Sequence, residues 1–251
     1  MTITTPTSFS TQVRDVLRLL LPTMSARGTA FWNHPDLRVR YPRYLVATHT
    51  VIRASVPLMQ TAVAEARTRY PDDPATAPLC AYLDWHIPEE TGHDEWVLED
   101  LERIGIPSSI ALEHPPTTAV TSLVGSQYYY IRHVHPAVLL GYIAVLEGYP
   151  PSEELARTAA ARTGYPIEAF RTLRKHAHLD PHHRRDLDAT LDRIPLTPQL
   201  AGAIRRNALQ TMAGLIDLID EINSGAPTTV LAGEPATDHK TDHKTDQEAA
   251  V

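Results

Sequence analysis

Apolar residues recur at helical spacing along almost all of this chain, and alternating β-branched runs are scarce. TQVRDVLRLLL (11–21) has the period of a first helix, stopped by Pro22. RYLVATHTVIRASVPLMQTAVAEARTRY (43–70) has the pattern of one long amphipathic helix kinked at Pro57. PLCAYLDWHIPEETGHDEWVLEDLERIG (78–105) continues it, bent at Pro88 and closed by Gly105 ahead of Pro107. TTAVTSLVGSQYYYIRHV (117–134) and AVLLGYIAVLEG (137–148) follow, divided by Pro136. Ser152 is placed to cap EELARTAAART, with Gly164 at its far end. IEAFRTLRKHAHLD (167–180) and HHRRDLDATLDRI (182–194) flank Pro181, and Thr197-Pro198 opens a last long helix to about Asn223. The pattern predicts one all-α domain of about seven to eight helices over residues 8–224. Residues 1–7 are expected to form a flexible N-terminus. The Pro/Gly/Thr-rich segment 225–251, with its repeat TDHKTDHK, has little to bury and is expected to be a disordered tail.

Composition narrows the function classes. At 251 residues and 43% hydrophobic, the chain can build one substantial core. A formal net charge of −7, with no basic cluster interleaved with aromatics, argues against a nucleic-acid partner. A single cysteine, Cys80, excludes an internal disulfide and fits a reducing compartment; it is expected to be buried and inert. No apolar stretch approaches a membrane span, and the first residues lack the basic region of a leader. The expectation is a cytoplasmic protein with no membrane partner.

Histidine, present 13 times, then directs attention to metal chemistry. Imidazole nitrogen and carboxylate oxygen are the ligands of non-haem iron. In helical dimetal sites a carboxylate and a histidine three residues apart project toward the interior. Asp/Glu-x-x-His occurs twice, as Glu90/His93 and Asp180/His183, a count that chance alone could supply, so context must decide. His176, Asp180 and His183 stand at i, i+4 and i+7, on one helical stripe. Glu147 is a lone acid ending an apolar run, and such an acid needs a partner if buried. Glu90, Glu147 and Asp180 with His93, His176 and His183 make a balanced ligand inventory for two metal ions. His178 and His182 fall off the stripe, and Glu89 is the nearest competitor to Glu90. Pro181 predicts a restart of the helix within the triplet, with Asp180 as its cap.

In this order the six residues resemble the ligand pattern of the haem-oxygenase-like dimetal oxidases. That family has an E-x-x-H pair on one core helix, a later glutamate, and an H-x-x-x-D-x-x-H triplet on a further helix. The sequence carries Glu90-Thr-Gly-His93, Glu147 and His176-Ala-His-Leu-Asp180-Pro-His-His183. The resemblance implies a haem-oxygenase-like bundle, two Fe2+ ions (Mn being an alternative) and O2 as cosubstrate. It also implies an O2-dependent non-haem diiron oxidoreductase that oxidises a small amino acid or amine, by N-oxygenation, desaturation or C–C/C–N chemistry, in natural-product biosynthesis. A homodimer is common for that fold and is the expected assembly. His86, one turn before Glu90, and Tyr129, Tyr130 and Arg132 are candidates to support the ligands or touch substrate, with Trp85, Trp96 and Tyr128 in the expected cavity wall. The alternatives are a thiaminase-like or cofactorless oxidase on the same fold, or a non-enzymatic metal-binding helical protein.

Overall fold

The computed structural model describes residues 7–224. The tail 225–251 and all but the last residue of the expected flexible N-terminus lie outside the described residues. Among those described there are twelve α-helices and no strand. The all-α expectation holds, while the helix count rises because several long periodic segments are divided.

The divisions follow from where proline and glycine can sit. α1 (Phe9–Leu17) starts at Ser8, whose hydroxyl accepts a bond from the Thr11 backbone N–H. Pro22 does not stop it. The chain turns earlier, and Pro22 stands in the first turn of α2 (Leu21–Trp32), where a missing N–H costs nothing. The same logic replaces the expected kink at Pro57. α3 (Leu37–Ile52) ends before Arg53, so Pro57 falls in the opening turn of α4 (Ser55–Arg69). Segment 78–105 is likewise two helices, α5 (Thr76–Glu90) and α6 (His93–Arg103). Pro88 is carried within α5, and the break falls at Thr91-Gly92, where Gly92 takes φ +87°.

α7 (Ser108–Glu113) and α8 (Thr118–His133) follow, and a 3₁₀ turn at Pro136–Val138 leads into α9 (Leu139–Leu146). α10 (Glu153–Thr163) has the predicted ends: the Ser152 hydroxyl accepts from the Leu155 N–H, and Gly164 takes φ +68°. A second 3₁₀ turn, Ile167–Phe170, feeds α11 (Arg171–Arg193), and α12 (Pro198–Ser224) completes the described chain. α11 runs unbroken through Pro181, against the expected restart. An interior proline costs about 3 kcal/mol. Burial of Leu173, Leu187 and Leu191 along α11 offsets that cost.

α9 is the centre of the bundle. Leu139 through Val145 are all buried, and α12 lies along it. Gly141 allows this approach, because a Cβ there would stand 2.4 Å from the Ile204 carbonyl oxygen. Asp100 of α6 ties α11 in place: buried completely, it accepts the Arg171 N–H at 2.9 Å and the Thr172 N–H at 3.0 Å. No helix among the described residues is long and apolar enough to cross a membrane.

Candidate metal centre

Four elements deliver the histidines and acids of the sequence pattern to one place. The last turn of α5 supplies His86 and Glu90, which share a face at i, i+4 spacing. The first residue of α6 is His93, and Glu147 caps the C-terminus of α9. α11 supplies His176, Asp180 and His183. Glu90 and His93 therefore stand on two helices across the Gly92 turn, and not on one core helix.

Ligand-type atoms converge in two groups, each lying within 4.8 Å of one another. One is His86, Glu90, Glu147 and His183; the other is Glu90, His93 and His176. Glu90 belongs to both, with Oε1 3.4 Å from His183 Nδ1 and Oε2 3.3 Å from His93 Nδ1. His86 Nε2 donates to Glu147 Oε1 at 2.6 Å. The His86 and His183 rings are 4.8 Å apart, and those of His93 and His176 are 5.2 Å apart.

Outer partners fix the rings. The Thr172 carbonyl, 2.9 Å from His176 Nδ1, can only accept, so that nitrogen carries hydrogen and Nε2 keeps a lone pair. Glu89 Oε2 takes the Nε2 hydrogen of His183 at 3.2 Å, leaving Nδ1 toward Glu90. Trp96 stacks on His93 with ring centroids 4.0 Å apart.

Electrostatics distinguish the acids. Burial works against the charge of Glu90, yet His93, His86 and His176 around it hold its carboxyl below the usual range. Asp180 has no such company. Burial, then the charges of Glu147 and Glu90, push its carboxyl up to about 8. Burial opposes protonation of His86, but its bond to Glu147 prevails and raises its pKa.

The sequence-derived residues separate under this geometry. Glu90, His93, Glu147, His176 and His183 are brought together. Asp180 is buried and lines the same cavity, but its oxygens fall outside both groups. His86, expected only as a supporting or substrate residue, stands within the first group; its position one turn before Glu90 was the available signal. Tyr129, Tyr130 and Arg132 lie elsewhere. Tyr129 is 63% exposed, the Tyr130 hydroxyl donates to Gln210, and Arg132 sits on the surface beside Glu65. The cavity of about 270 Å³ beside the centre is not walled by Trp85, Trp96 or Tyr128 but by residues of α2, α3, α4, α5, α9, α11 and α12. His178, 70% exposed, pairs with Glu153, and exposed His182 with Arg185.

Whether a metal fits can be judged from the polar atoms left over. His86 Nδ1, His93 Nδ1, His183 Nδ1, Glu147 Oε2 and Asp180 Oδ1 are buried without a hydrogen-bond partner. Each such atom costs about 1–3 kcal/mol, and a cation among them removes most of that cost. Nitrogen and carboxylate oxygen in this mixture suit iron or manganese.

A family model described as iron-containing redox enzyme matches residues 43–214. The chain belongs to that family. The match spans every helix that contributes to the centre, from α5 through α11. Solved structures resemble this chain in fold. A domain of unknown function with a haem oxygenase-like fold from Shewanella denitrificans OS217 aligns at TM-score 0.67 and 16% identity, covering 86% of this chain and 89% of that one. A TenA homolog from Pseudomonas syringae pv. tomato DC3000 aligns at TM-score 0.63 and 13% identity, over 84% and 92% of the two chains. A CADD-like protein of unknown function from Nostoc punctiforme PCC 73102 gives 0.60 and 13%, over 87% and 98%. The fold is thus the expected haem-oxygenase-like bundle. No curated protein matches the sequence.

Proposed function

We propose that this protein is an O2-dependent non-haem diiron oxidase or oxygenase of a small organic molecule, with manganese as the alternative metal. The observation that carries the reading is Glu90, a half-buried carboxylate shared by two separate groups of histidine and acid ligands. His86, Glu90, Glu147 and His183 would hold one ion and Glu90, His93 and His176 the other, and iron there would supply the electrons that reduce O2 and the oxidising power passed to substrate. Asp180, adjoining both groups, completes the three carboxylates expected from the sequence.

The chain's own residues set the conditions for that chemistry. Glu89 and the Thr172 carbonyl hold the hydrogens of His183 and His176 on their outer nitrogens, so the other lone pairs are free to ligate. Ile143, Leu146 and Leu173 keep the adjoining cavity apolar. Substrate enters that cavity, beside His86, Glu90 and Glu147. The carboxylate of an amino-acid substrate finds no counter-ion in the wall, which has no lysine or arginine, because Arg132 lies on the surface.

A TenA-type reaction on the same fold is the second reading, drawn from the likeness to a TenA homolog. A cysteine nucleophile would be needed at the cavity, and the single cysteine, Cys80, does not line it. Burial also pushes its thiol up, away from the reactive thiolate. Anaerobic titration with Fe(II) tests the preferred reading. Two ions per chain, both losing affinity in Glu90→Ala, and O2 uptake that requires iron are expected. Absence of iron binding, or O2 uptake undiminished by chelation, overturns it.

A further inference from the structure

The cavity beside the centre is strongly two-sided. Its imidazole and carboxylate side chains gather on one side: His86, Glu90, Glu147 and His176 belong to the two ligand groups, and Asp180 stands beside them. No lysine or arginine lines it. The opposite wall is mostly hydrocarbon and thioether, with Val51, Ile52, Met59, Leu215, Leu218 and Ile219 drawn from α3, α4 and α12, and its polar groups, on Tyr44, Thr48 and Ser55, are uncharged hydroxyls. An ammonium or carboxylate placed there would be desolvated without a partner, which costs far more than burial of a methylene chain returns.

Two lining residues, Thr172 at the start of α11 and Tyr142 of α9, have buried hydroxyls without a partner. Tyr142 of α9 lines the cavity, its side chain is buried, and its hydroxyl has no hydrogen-bond partner. Burial pushes its ionisation well up, so it stays a neutral phenol that donates and accepts. A buried hydroxyl without a partner is uncommon and calls for a ligand. The space, about 270 Å³, holds about nine heavy atoms at ~30 Å³ each, the volume of a water in the liquid.

We infer that the substrate is an uncharged aliphatic molecule of medium chain length, its hydrocarbon body against α4 and α12 and one neutral polar group on the Tyr142 hydroxyl. This assignment rests on the oxidase reading for what happens to the substrate, but the binding it describes is measurable without turnover. It replaces the small amino acid or amine of the sequence-based expectation with a class that the wall can solvate.

The test is calorimetry on the full chain loaded with Fe(II) under anaerobic conditions, with octanamide, octylamine, octanoate and leucine as probes. Octanamide is expected to bind at least about tenfold tighter than each of the others. Tyr142→Phe should weaken octanamide about fivefold, the worth of one neutral hydrogen bond, while leaving 1-octene unchanged. Leu218→Trp, which fills the hydrocarbon end, should abolish octanamide binding with iron stoichiometry retained. Leucine or octylamine binding as tightly as octanamide overturns the assignment, and so does octanoate binding tighter. Octanamide affinity unaffected by Leu218→Trp also overturns it. Iron is quantified separately in the same samples. Loss of iron binding with octanamide bound in the chelated chain counts against the oxidase and not against the cavity.

Discussion

Replacing Asp100 by alanine removes one carboxylate that lies outside the candidate centre but starts the helix on which three of its residues stand. Its two oxygens accept the Arg171 and Thr172 N–H groups at 2.9 and 3.0 Å. Neither donor has another partner within the first turn of α11, because the first N–H groups of a helix face no carbonyl. Thr172 and Asp100 are both buried, so water cannot substitute freely. Two orphaned donors at about 1–3 kcal/mol each, less relaxation, give a loss of about 3 kcal/mol at pH 7, a large part of the ~5–15 kcal/mol that holds a domain together. Burial pushes the Asp100 carboxyl up to about 6, with the bonds from Thr172 and Arg171 opposing. Since that lies above the ordinary unfolded value of ~3.9, the stabilising contribution is full below about pH 4 and is lost as pH rises through 6. The gap between wild type and Asp100→Ala therefore widens by about 2 kcal/mol from pH 7 to pH 4. Urea unfolding followed by far-UV circular dichroism, in chelator at both pH values, measures it. A variant within 1 kcal/mol (about one cap's worth) of wild type at pH 7, or a gap that narrows on acidification, refutes the reasoning.

Other expectations follow from single contacts. Gly141→Ala places a Cβ 2.4 Å from the Ile204 carbonyl oxygen, and overpacking of this kind costs about 1–3 kcal/mol; thermal unfolding should show the melting temperature lowered by roughly 5 °C, and an unchanged value would mean that α9 and α12 do not touch there. Glu89→Ala removes the acceptor of the His183 Nε2 hydrogen and should weaken iron binding about tenfold with the metal-free chain equally stable, whereas unaltered affinity would show that Glu89 does not orient the ring. Gly92→Ala forces an L side chain to φ +87°, at a cost of about 1–2 kcal/mol; chemical denaturation checks the cost, and an iron titration checks whether the strained joint also displaces His93.

Much of the fold was legible because helical periodicity survives any error of a few residues at the ends. Ser152 and Gly164 bounded α10 correctly, since capping chemistry is local. Proline alone misplaces the breaks. Pro57 and Pro22 sit inside first turns, Pro88 and Pro181 are tolerated within helices, and the decisive joint at Thr91-Gly92 depends on one glycine in left-handed backbone. At the centre, residues sharing a stripe within one helix could be grouped from spacing, and His176 and His183 are the instance. Whether any of three consecutive tyrosines faces the cavity depends on what packs against α8, and no local spacing shows that none of them does. His86 was undervalued for the same reason: only the arrival of Glu147 from α9 turns it into a member of the cluster.

The unbroken course of α11 through Pro181 gives the candidate centre a built-in ruler. His176 and His183 reach different groups around Glu90, and their separation along the axis is set by helical rise at ~1.5 Å per residue, about 10 Å in all. Distance on a ruler cannot be adjusted by a neighbouring loop. Side chains between the two histidines can therefore drift in sequence, but the number of residues cannot: one inserted residue would swing His183 about 100° around the axis, out of reach of Glu90.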